Sequence, residues 1–306
     1  MISLVGYTGF VGSNLNSSFV FDKVYNSKNI EEAYGTSPEL LIYSGVKGTK
    51  YWANKFASED KSHIVEAINN IQKIKPKKIV LISTVDIFNF PFEVYEDSQY
   101  DATVNHAYGR HRAELEEWVK NRYSDYLIVR LPALYGDNIK KNFVYDIIHR
   151  IPEKLNGAKI IELENHGIEV LKYYSKSRGE YYSINQLNVE EKKELLKLLK
   201  TVDFSSIDFT NSKSRYQFYN LRYLWRDIEI ALKNGLKICQ LVTEPISAGE
   251  LYYNITGEKM KEVKDMPIVM YNCKTRHGDI FGGKNGYIRD KEEVMKDLCT
   301  FIRQYT

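Results

Sequence analysis

The chain has 306 residues, of which 43% are apolar and 27% are charged. That length and composition are typical of one large α/β unit or two modest domains, and they argue against a disordered chain. The 43 Lys and Arg residues nearly balance the 40 Asp and Glu residues, so the net charge is only +3. Nucleic acid is therefore not expected as the main partner. No apolar run approaches the roughly 18 residues of a membrane helix, so no membrane association is expected.

The cysteines and histidines do not predict a metal site. Cys239, Cys273 and Cys299 lie far apart and outside metal-ligand spacing, and the six histidines form no His-x-x-x-His pair. We therefore expect no metal, and we expect reduced thiols in a cytoplasmic protein. The N-terminal segment is apolar and has neither the basic region nor the cleavage site of a signal peptide.

Apolar runs alternate with helical periodicity through the first half of the chain. Ile64, Ile68 and Ile71 recur at helical spacing, and the run 78–83 is typical of a buried strand. Strands are predicted at 1–5, 23–26, 39–44, 78–83 and 126–131. Helices are predicted at 9–18, 60–74 and 107–123.

This alternation predicts an α/β fold with a doubly wound parallel sheet of the Rossmann type. The interval between the second and third strands, 27–38, is short. One strand–helix unit of the usual six-strand order should therefore be shortened or missing. Beyond Gly136 the pattern loosens, with helices predicted near 140–150, 189–200 and 290–305 and a strand turning into a helix over 216–234.

A glycine-rich turn lies between the first predicted strand and the first predicted helix. Glycines here permit a tight turn, let backbone amides approach a diphosphate, and let the helix pack closely on the strand. The helix N-terminus supplies amides and a dipole for the anion. The spacing Gly-x-x-Gly-x-x-Gly, placed between strand and helix, predicts a dinucleotide-binding turn. Its residues are Gly6, Tyr7, Thr8, Gly9, Phe10, Val11 and Gly12.

The end of the second strand bears on the choice between NAD and NADP. An acidic residue there binds the adenosine 2′-hydroxyl of NAD and repels the 2′-phosphate of NADP. This chain has Asn26, Ser27 and Lys28 instead, with no acid before Glu31. Neutral donors and a lysine suit a phosphate, so NADP is slightly preferred, although a plain polar turn remains open.

Residues 1–139 are accordingly assigned to a dinucleotide-binding Rossmann domain. Residues 140–306 are assigned to a smaller C-terminal substrate lobe, with segments at about 215–247 returning to the main sheet.

A hydroxyl-rich strand end and a tyrosine on the next helix carry the predicted chemistry. Ser83 and Thr84 end the strongest predicted strand, and ligands of doubly wound sheets bind at the carboxyl ends of strands. Tyr108 and Arg112 are four apart and share one helical face. A cation at 112 is expected to lower the pKa of Tyr108 from about 10 towards neutrality, which suits a proton-transfer group.

Together the glycine turn, Ser83-Thr84 and Tyr108-x-x-x-Arg112 resemble the extended short-chain dehydrogenase/reductase family of nucleotide-sugar epimerases, dehydratases and reductases. The order and spacing match over about residues 1–136, and the run 129–136 is similar to the segment beneath the nicotinamide in that family. The resemblance implies that Thr84 orients the substrate oxygen and that Tyr108 is the acid/base. The cofactor contacts that it implies are the glycine turn and the second strand end, together with Ser44, Gly45, Ser83, Tyr108, Arg112, Leu131 and Pro132.

Two departures from the family pattern bear on the activity. The family has lysine where this chain has Arg112, which keeps the charge but has a larger, planar head group. A working enzyme and a non-catalytic dinucleotide-binding regulator or scaffold therefore both stay open. If the charge at 112 is what matters, Arg112→Lys is expected to preserve or raise activity, whereas a dead variant would show that the guanidinium shape is required. Val85-Asp86 stands where sugar dehydratases have Asp-Glu, so dehydration is disfavoured.

The expected function is an NAD(P)-dependent reductase or epimerase that acts on a nucleotide-linked sugar by hydride transfer. A nucleotide-sugar dehydratase remains an alternative. Lys141, Asn142 and Tyr219 are candidate substrate contacts beside Thr84, although aromatic runs such as 216–225 are more often core. By resemblance a homodimer through the helices near 60–74 and 108–122 is possible.

Overall fold

The fold is built on a six-stranded sheet, as the computed structural model of the chain shows for residues 1–101, 103, 105–177, 179–263 and 266–305. The strands are β1 (Ile2–Val5), β2 (Lys23–Tyr25), β3 (Leu40–Tyr43), β4 (Lys78–Thr84), β5 (Tyr126–Leu131), β6 (Ala133–Tyr135), β7 (Lys154–Asn156), β8 (Tyr174–Lys176), β9 (Tyr181–Ile184), β10 (Arg215–Tyr216), β11 (Phe218–Asn220), β12 (Ile238–Gln240) and β13 (Ile246–Ser247). The α-helices are α1 (Phe10–Ser18), α2 (Lys50–Lys55), α3 (Ala57–Ile74), α4 (Ala107–Arg122), α5 (Phe143–His149), α6 (Gly157–Asn165), α7 (Val189–Thr201), α8 (Leu224–Lys233), α9 (Ala248–Thr256) and α10 (Lys291–Ile302).

The central sheet is parallel, in the order β12-β5-β4-β3-β1-β2. This confirms the predicted Rossmann-type doubly wound sheet. Between β2 and β3 the chain forms only a short 3₁₀ turn, Ile30–Ala33, where a crossover helix would otherwise lie. Consequently β2 is an edge strand, which agrees with the shortened unit predicted from the sequence.

Apolar side chains cover both faces of the sheet. On one face Ile64 and Ile71 of α3 pack with Leu115 and Val119 of α4. On the other face Leu15 of α1 and residues of α8 pack against alternate residues of β1, β4 and β5. Burial on both faces explains why these strands read as continuous apolar runs.

The described residues divide into two compact units. The first contains 1–139, 215–246 and 270–297, and the second contains 140–214, 247–269 and 298–305. In the second unit β7, β9 and β8 form a small antiparallel sheet that packs with residues of α6 and α7 around its own apolar core. Among the described helices, none is long and apolar enough to cross a membrane.

Candidate functional site

The glycine turn between β1 and α1 is shaped by close backbone contacts. Gly6 has a φ of +91°, and a Cβ there would lie 2.7 Å from the carbonyl of Ser44. A Cβ on Gly12 would lie 2.0 Å from the Gly6 carbonyl oxygen. Gly9, the N-cap residue of α1, has no side chain with which to cap the helix. The first amides of α1 are therefore suited to binding an anion.

The other residues of the turn differ in exposure. Tyr7, Phe10 and Val11 are half-buried against the core below, whereas Thr8 is exposed. The apolar side chains of the turn thus fix it to the core, and Thr8 lies on its solvent-exposed side.

The residues predicted to contact the adenosine ribose form a tight polar turn after β2. The Asn26 amide donates to the side chain of Asn29 at 2.8 Å, and the Lys28 amide donates to the side chain of Asn26 at 2.8 Å. Ser27 and Lys28 are exposed. The side chains of Asn26 and Asn29 therefore shape the turn, while Ser27 and Lys28 face solvent.

Ser44 and Gly45 follow β3 and lie opposite the glycine turn. The Ser44 hydroxyl donates to the Val5 carbonyl at 2.8 Å, which ties the ends of β3 and β1 together. A Cβ on Gly45 would lie 3.1 Å from the Val5 side chain. The carboxyl ends of β1 and β3 are thus brought together at the turn.

Thr84 and Tyr108 meet at the carboxyl end of β4. The Thr84 side chain lies close enough to the Tyr108 phenol to lower its pKa by hydrogen bonding, and the Tyr108 amide donates to the Asn54 side chain at 2.9 Å. The close approach depends on Gly109, because a Cβ there would lie 2.0 Å from the Asp86 carbonyl oxygen. The structure therefore brings together the threonine and the tyrosine that the sequence predicts as partners.

Arg112 is a buried ion-pair partner as well as a neighbour of Tyr108. Its guanidinium carbon lies 3.9 Å from the centroid of the Tyr108 ring. Its two terminal nitrogens donate to the two carboxylate oxygens of Asp60 at 2.6 and 2.9 Å and to the Lys47 carbonyl at 2.5 Å. His111 contacts the same carboxylate at 2.8 Å. The charge of Arg112 is thus balanced by Asp60, which sequence reasoning did not identify.

The pKa of Tyr108 lies above its ordinary value. Burial is the largest cause, and the charges of Asp86 and Asp60 act in the same direction. Arg112 and the hydrogen bond with Thr84 lower it. The predicted net lowering is therefore wrong for the protein by itself: the cation acts as expected, but burial outweighs it.

The Ser83 side chain binds α4, and the predicted contact of this residue with the cofactor stays a prediction. Ser83 is 8% exposed, and its hydroxyl donates to Glu116 of α4 at 2.6 Å. Glu116 forms a fully buried ion pair with Arg130 at 2.8 Å. The Ser83 side chain therefore stabilises the packing of α4 on the sheet.

Two further predicted cofactor contacts lie at the end of β5. Leu131 is buried in the core, and Pro132 is half-buried directly after the strand.

The candidate substrate contacts have different outcomes. Tyr219 is fully buried, and its hydroxyl donates to Asp227 at 2.7 Å, so the predicted contact with a sugar is corrected to a core position. Lys141 and Asn142 belong to the second unit. Asn142 caps α5 through its side-chain oxygen, which accepts from the amide of Val144 at 3.0 Å.

Sequence reasoning missed a group of polar residues beside Thr84. Lys50 of α2 lies 2.7 Å from Asp86 Oδ1, and the Tyr271 hydroxyl donates to the same oxygen at 2.6 Å. The Asp86 amide donates to Thr84 Oγ1 at 3.1 Å. Lys50, Asp86 and Tyr271 are separated widely in the chain, so no sequence spacing connects them.

Solved structures of nucleotide-sugar enzymes have a similar fold. UDP-N-acetylglucosamine 4-epimerase from Methanobrevibacter ruminantium, solved with UDP-N-acetylmuramic acid, is 8% identical and aligns over 99% of this chain and 96% of its own, with a TM-score of 0.63. The dTDP-4-dehydrorhamnose reductase of Bacillus anthracis, solved with NADP, is 14% identical and aligns over 99% of this chain and 97% of its own, with a TM-score of 0.62. The UDP-glucose 4-epimerase of Thermotoga maritima, solved with UDP-glucose, is 12% identical and aligns over 99% of this chain and 97% of its own, with a TM-score of 0.54.

The chain has the Rossmann-type fold of these enzymes. No protein-family model matches the sequence, and no curated protein matches it either. Identities this low establish the fold alone.

Proposed function

We propose that this chain is an NAD(P)-dependent reductase or epimerase of the extended short-chain dehydrogenase/reductase kind, acting on a nucleotide-linked sugar. The observation that carries the proposal is the placement of Thr84 beside Tyr108 at the carboxyl end of β4, where Gly109 of α4 packs against the Asp86 carbonyl, in the same unit as the glycine turn. Enzymes of this fold solved with NADP, UDP-glucose or an acidic sugar nucleotide support the ligand classes.

The residues of the glycine turn fit a dinucleotide diphosphate. The close approach of Gly12 to Gly6 leaves no room for a side chain, and Gly9 leaves the α1 amides without a capping side chain. When bound, a nicotinamide dinucleotide supplies or accepts hydride. Asn26, Ser27 and Lys28 are proposed to receive the adenosine ribose, with NADP slightly preferred because Lys28 is exposed and cationic.

Tyr108 is proposed to hold and move the proton at the reacting sugar oxygen, and Thr84 to orient that oxygen. The raised pKa of Tyr108 keeps the phenol protonated at neutral pH, so it is ready to donate when a carbonyl is reduced. Arg112 lies against the ring face and, being paired with Asp60, acts chiefly by positioning Tyr108.

Three further expectations remain part of this proposal. A cytoplasmic location agrees with three free cysteines, of which two are buried. A homodimer is proposed through α3 and α4, by resemblance to the family. Lys141 and Asn142 are proposed to contact the nucleotide-sugar.

The test is turnover with a defined panel of substrates. Purified protein is mixed with NADPH or NADH and a series of nucleotide-linked keto-hexoses, and with the oxidised cofactors and the corresponding hexoses. The proposal expects cofactor oxidation or sugar epimerisation with at least one substrate. Tight cofactor binding without any reaction would instead favour a dinucleotide-binding regulator, and a 4-keto-6-deoxy product would favour a dehydratase.

A further inference from the structure

The group formed by Lys50, Asp86 and Tyr271 borders the reacting hydroxyls. The Asp86 amide donates to Thr84 Oγ1 at 3.1 Å, and the Thr84 side chain lies beside the Tyr108 phenol. The charge of Asp86 also acts on the ionisation of both Tyr108 and Tyr271. A substrate placed on Thr84 and Tyr108 would therefore have this group as a neighbour.

The charges around this position are balanced. The Lys50 ammonium pairs with Asp86, and the Arg112 guanidinium pairs with Asp60. Burial lowers the pKa of His106, with Lys50 acting in the same direction, so this imidazole is neutral at pH 7. These groups leave no net positive charge to compensate a carboxylate on the substrate, which would be repelled by Asp86.

The hydrogen-bonding capacity that remains matches a hydroxyl. Lys50 has three N–H donors, and its two hydrogen bonds to described residues go to Asp86 at 2.7 Å and to the Tyr271 hydroxyl at 3.1 Å. Asp86 receives Lys50 and Tyr271 on the same oxygen, Oδ1, so neither of these bonds occupies Oδ2. The side chain of Lys50 is 40% exposed and that of Asp86 is 15% exposed. A donor and an acceptor are thus presented side by side.

We propose that Lys50 and Asp86, braced by Tyr271, bind a hydroxyl of an uncharged sugar beside the reacting carbon and make the enzyme prefer uncharged sugars to sugar acids. This inference rests on the proposed function, because it places a nucleotide-linked sugar on Tyr108. Lys50 supplies the donor, Asp86 supplies the acceptor, and the carboxylate disfavours a second negative charge.

The experiment compares two substrates that differ only in a carboxylate, a nucleotide-linked keto-hexose and the corresponding keto-hexuronate. The values of kcat/KM are measured for the wild type and for Asp86→Asn, Lys50→Met and Tyr271→Phe. Lys55→Met is the matched control, because Lys55 lies at the other end of α2 and contacts Tyr51. Cofactor affinity and thermal unfolding of every variant show whether it is folded.

The expected results separate the roles of the three residues. The wild type prefers the neutral sugar, and Asp86→Asn shifts the ratio of kcat/KM towards the uronate by about tenfold, since removing the carboxylate leaves Lys50 as an unbalanced cation. Lys50→Met lowers kcat/KM for the neutral sugar by about tenfold with unchanged cofactor affinity. Tyr271→Phe, which keeps both charges, lowers kcat/KM but retains the preference, and Lys55→Met behaves as the wild type.

The contradicting results distinguish this inference from the proposed function. If the wild type transfers hydride but prefers the uronate, or if Asp86→Asn leaves the ratio unchanged, the inference is wrong and the proposed function stands. If the wild type binds the cofactor but transfers hydride to no sugar, the proposed function fails and the inference fails with it.

Discussion

Tyr108 and Arg112 lie one helical turn apart on α4, and their partners give them different roles. The Tyr108 hydroxyl faces Thr84, whereas the Arg112 guanidinium is directed to Asp60 and to a backbone carbonyl. A proton-transfer group must reach the reacting atom, and of these two side chains it is Tyr108 that lies beside Thr84.

Replacing Tyr108 with phenylalanine tests its role directly. We expect Tyr108→Phe to lower kcat by about 10²- to 10⁴-fold, because general acid/base catalysis contributes that much. Cofactor affinity should stay within a few-fold, since the ring is retained. Fluorescence titration with NADPH measures the affinity, and steady-state kinetics measure kcat. Tyr123→Phe, at the end of the same helix, is the control; unchanged turnover by Tyr108→Phe would remove Tyr108 from the mechanism.

The structure reverses the expectation for Arg112→Lys that the sequence alone suggests. The guanidinium makes four hydrogen bonds, two to Asp60 and one each to the Lys47 and Tyr108 carbonyls. A compact ammonium cannot reproduce this fork. We therefore expect a loss of about 1–3 kcal/mol in the free energy of unfolding, together with reduced turnover.

Chemical denaturation and kcat measure these two effects, and Arg110→Lys on the same helix is the control. If Arg112→Lys retains full stability and activity, charge alone matters at this position and the positioning role is wrong.

At the scale of elements, the β1–turn–α1 segment is the most tightly constrained part of the candidate site. A Cβ on Gly12 would lie 2.0 Å from the Gly6 carbonyl oxygen, and one on Gly9 would lie 3.3 Å from it. Small movements are enough to relieve the contact at Gly9, whereas the contact at Gly12 requires the turn to open.

We accordingly expect Gly12→Ala to lower NADPH affinity by at least about tenfold and to reduce stability by about 1–3 kcal/mol, because the helix must move away from the strand. Gly9→Ala should cost less stability. Calorimetric titration and denaturation measure both quantities. Equal stability losses in the two variants would show that the close approach at Gly12 is not a constraint.

The sequence predicts the central sheet well because its strands are buried on both faces. β1, β3, β4 and β5 are continuous apolar runs, and α3 has a regular apolar period, so composition alone reveals them. The predicted α3 begins at 60, whereas the helix begins at Ala57. By contrast α2 is six residues long with a mixed pattern, and β7, β8 and β9 are short strands with few buried residues. Short elements of this kind depend on tertiary packing.

The residues of the candidate site likewise fall into those that the sequence predicts and those that it does not. Thr84 and Tyr108 belong to one strand and the following helix, so the sequence order already places them together. Asp60 and Tyr271 reach the site only through folding, and no motif marks them. Tyr219 failed as a substrate candidate because an aromatic run does not show which side chains turn into the core.

At the scale of the whole molecule, the pH dependence of stability has a contribution from the second unit. Burial, followed by the charge of Glu153, raises the pKa of the Asp146 carboxyl to about 7. A carboxyl whose pKa is higher in the folded state than in the unfolded state stabilises the fold when protonated. Its contribution is present below pH about 4 and is lost as the pH rises to about 7, at about 1.4 kcal/mol for each unit of pKa difference.

Asp146→Asn should therefore increase the free energy of unfolding at pH 8 by about 1 kcal/mol or more, and change it little at pH 4. Urea unfolding at the two pH values measures the difference. Glu153→Gln, which removes the neighbouring charge, should have a smaller effect in the same direction. An Asp146→Asn variant that is less stable than the wild type at pH 8 would contradict the raised pKa.

We propose that one unit of the molecule binds a nicotinamide dinucleotide and exchanges hydride with a sugar at Thr84 and Tyr108. The most direct measurement follows deuterium from cofactor labelled at the nicotinamide C4 into a nucleotide-linked keto-sugar, by mass spectrometry of the product. We predict one deuterium in the reduced sugar with the wild type and none above background with Tyr108→Phe. A wild-type protein that binds the labelled cofactor and transfers no deuterium to any keto-sugar, or a Tyr108→Phe variant that transfers it at the wild-type rate, would contradict this account.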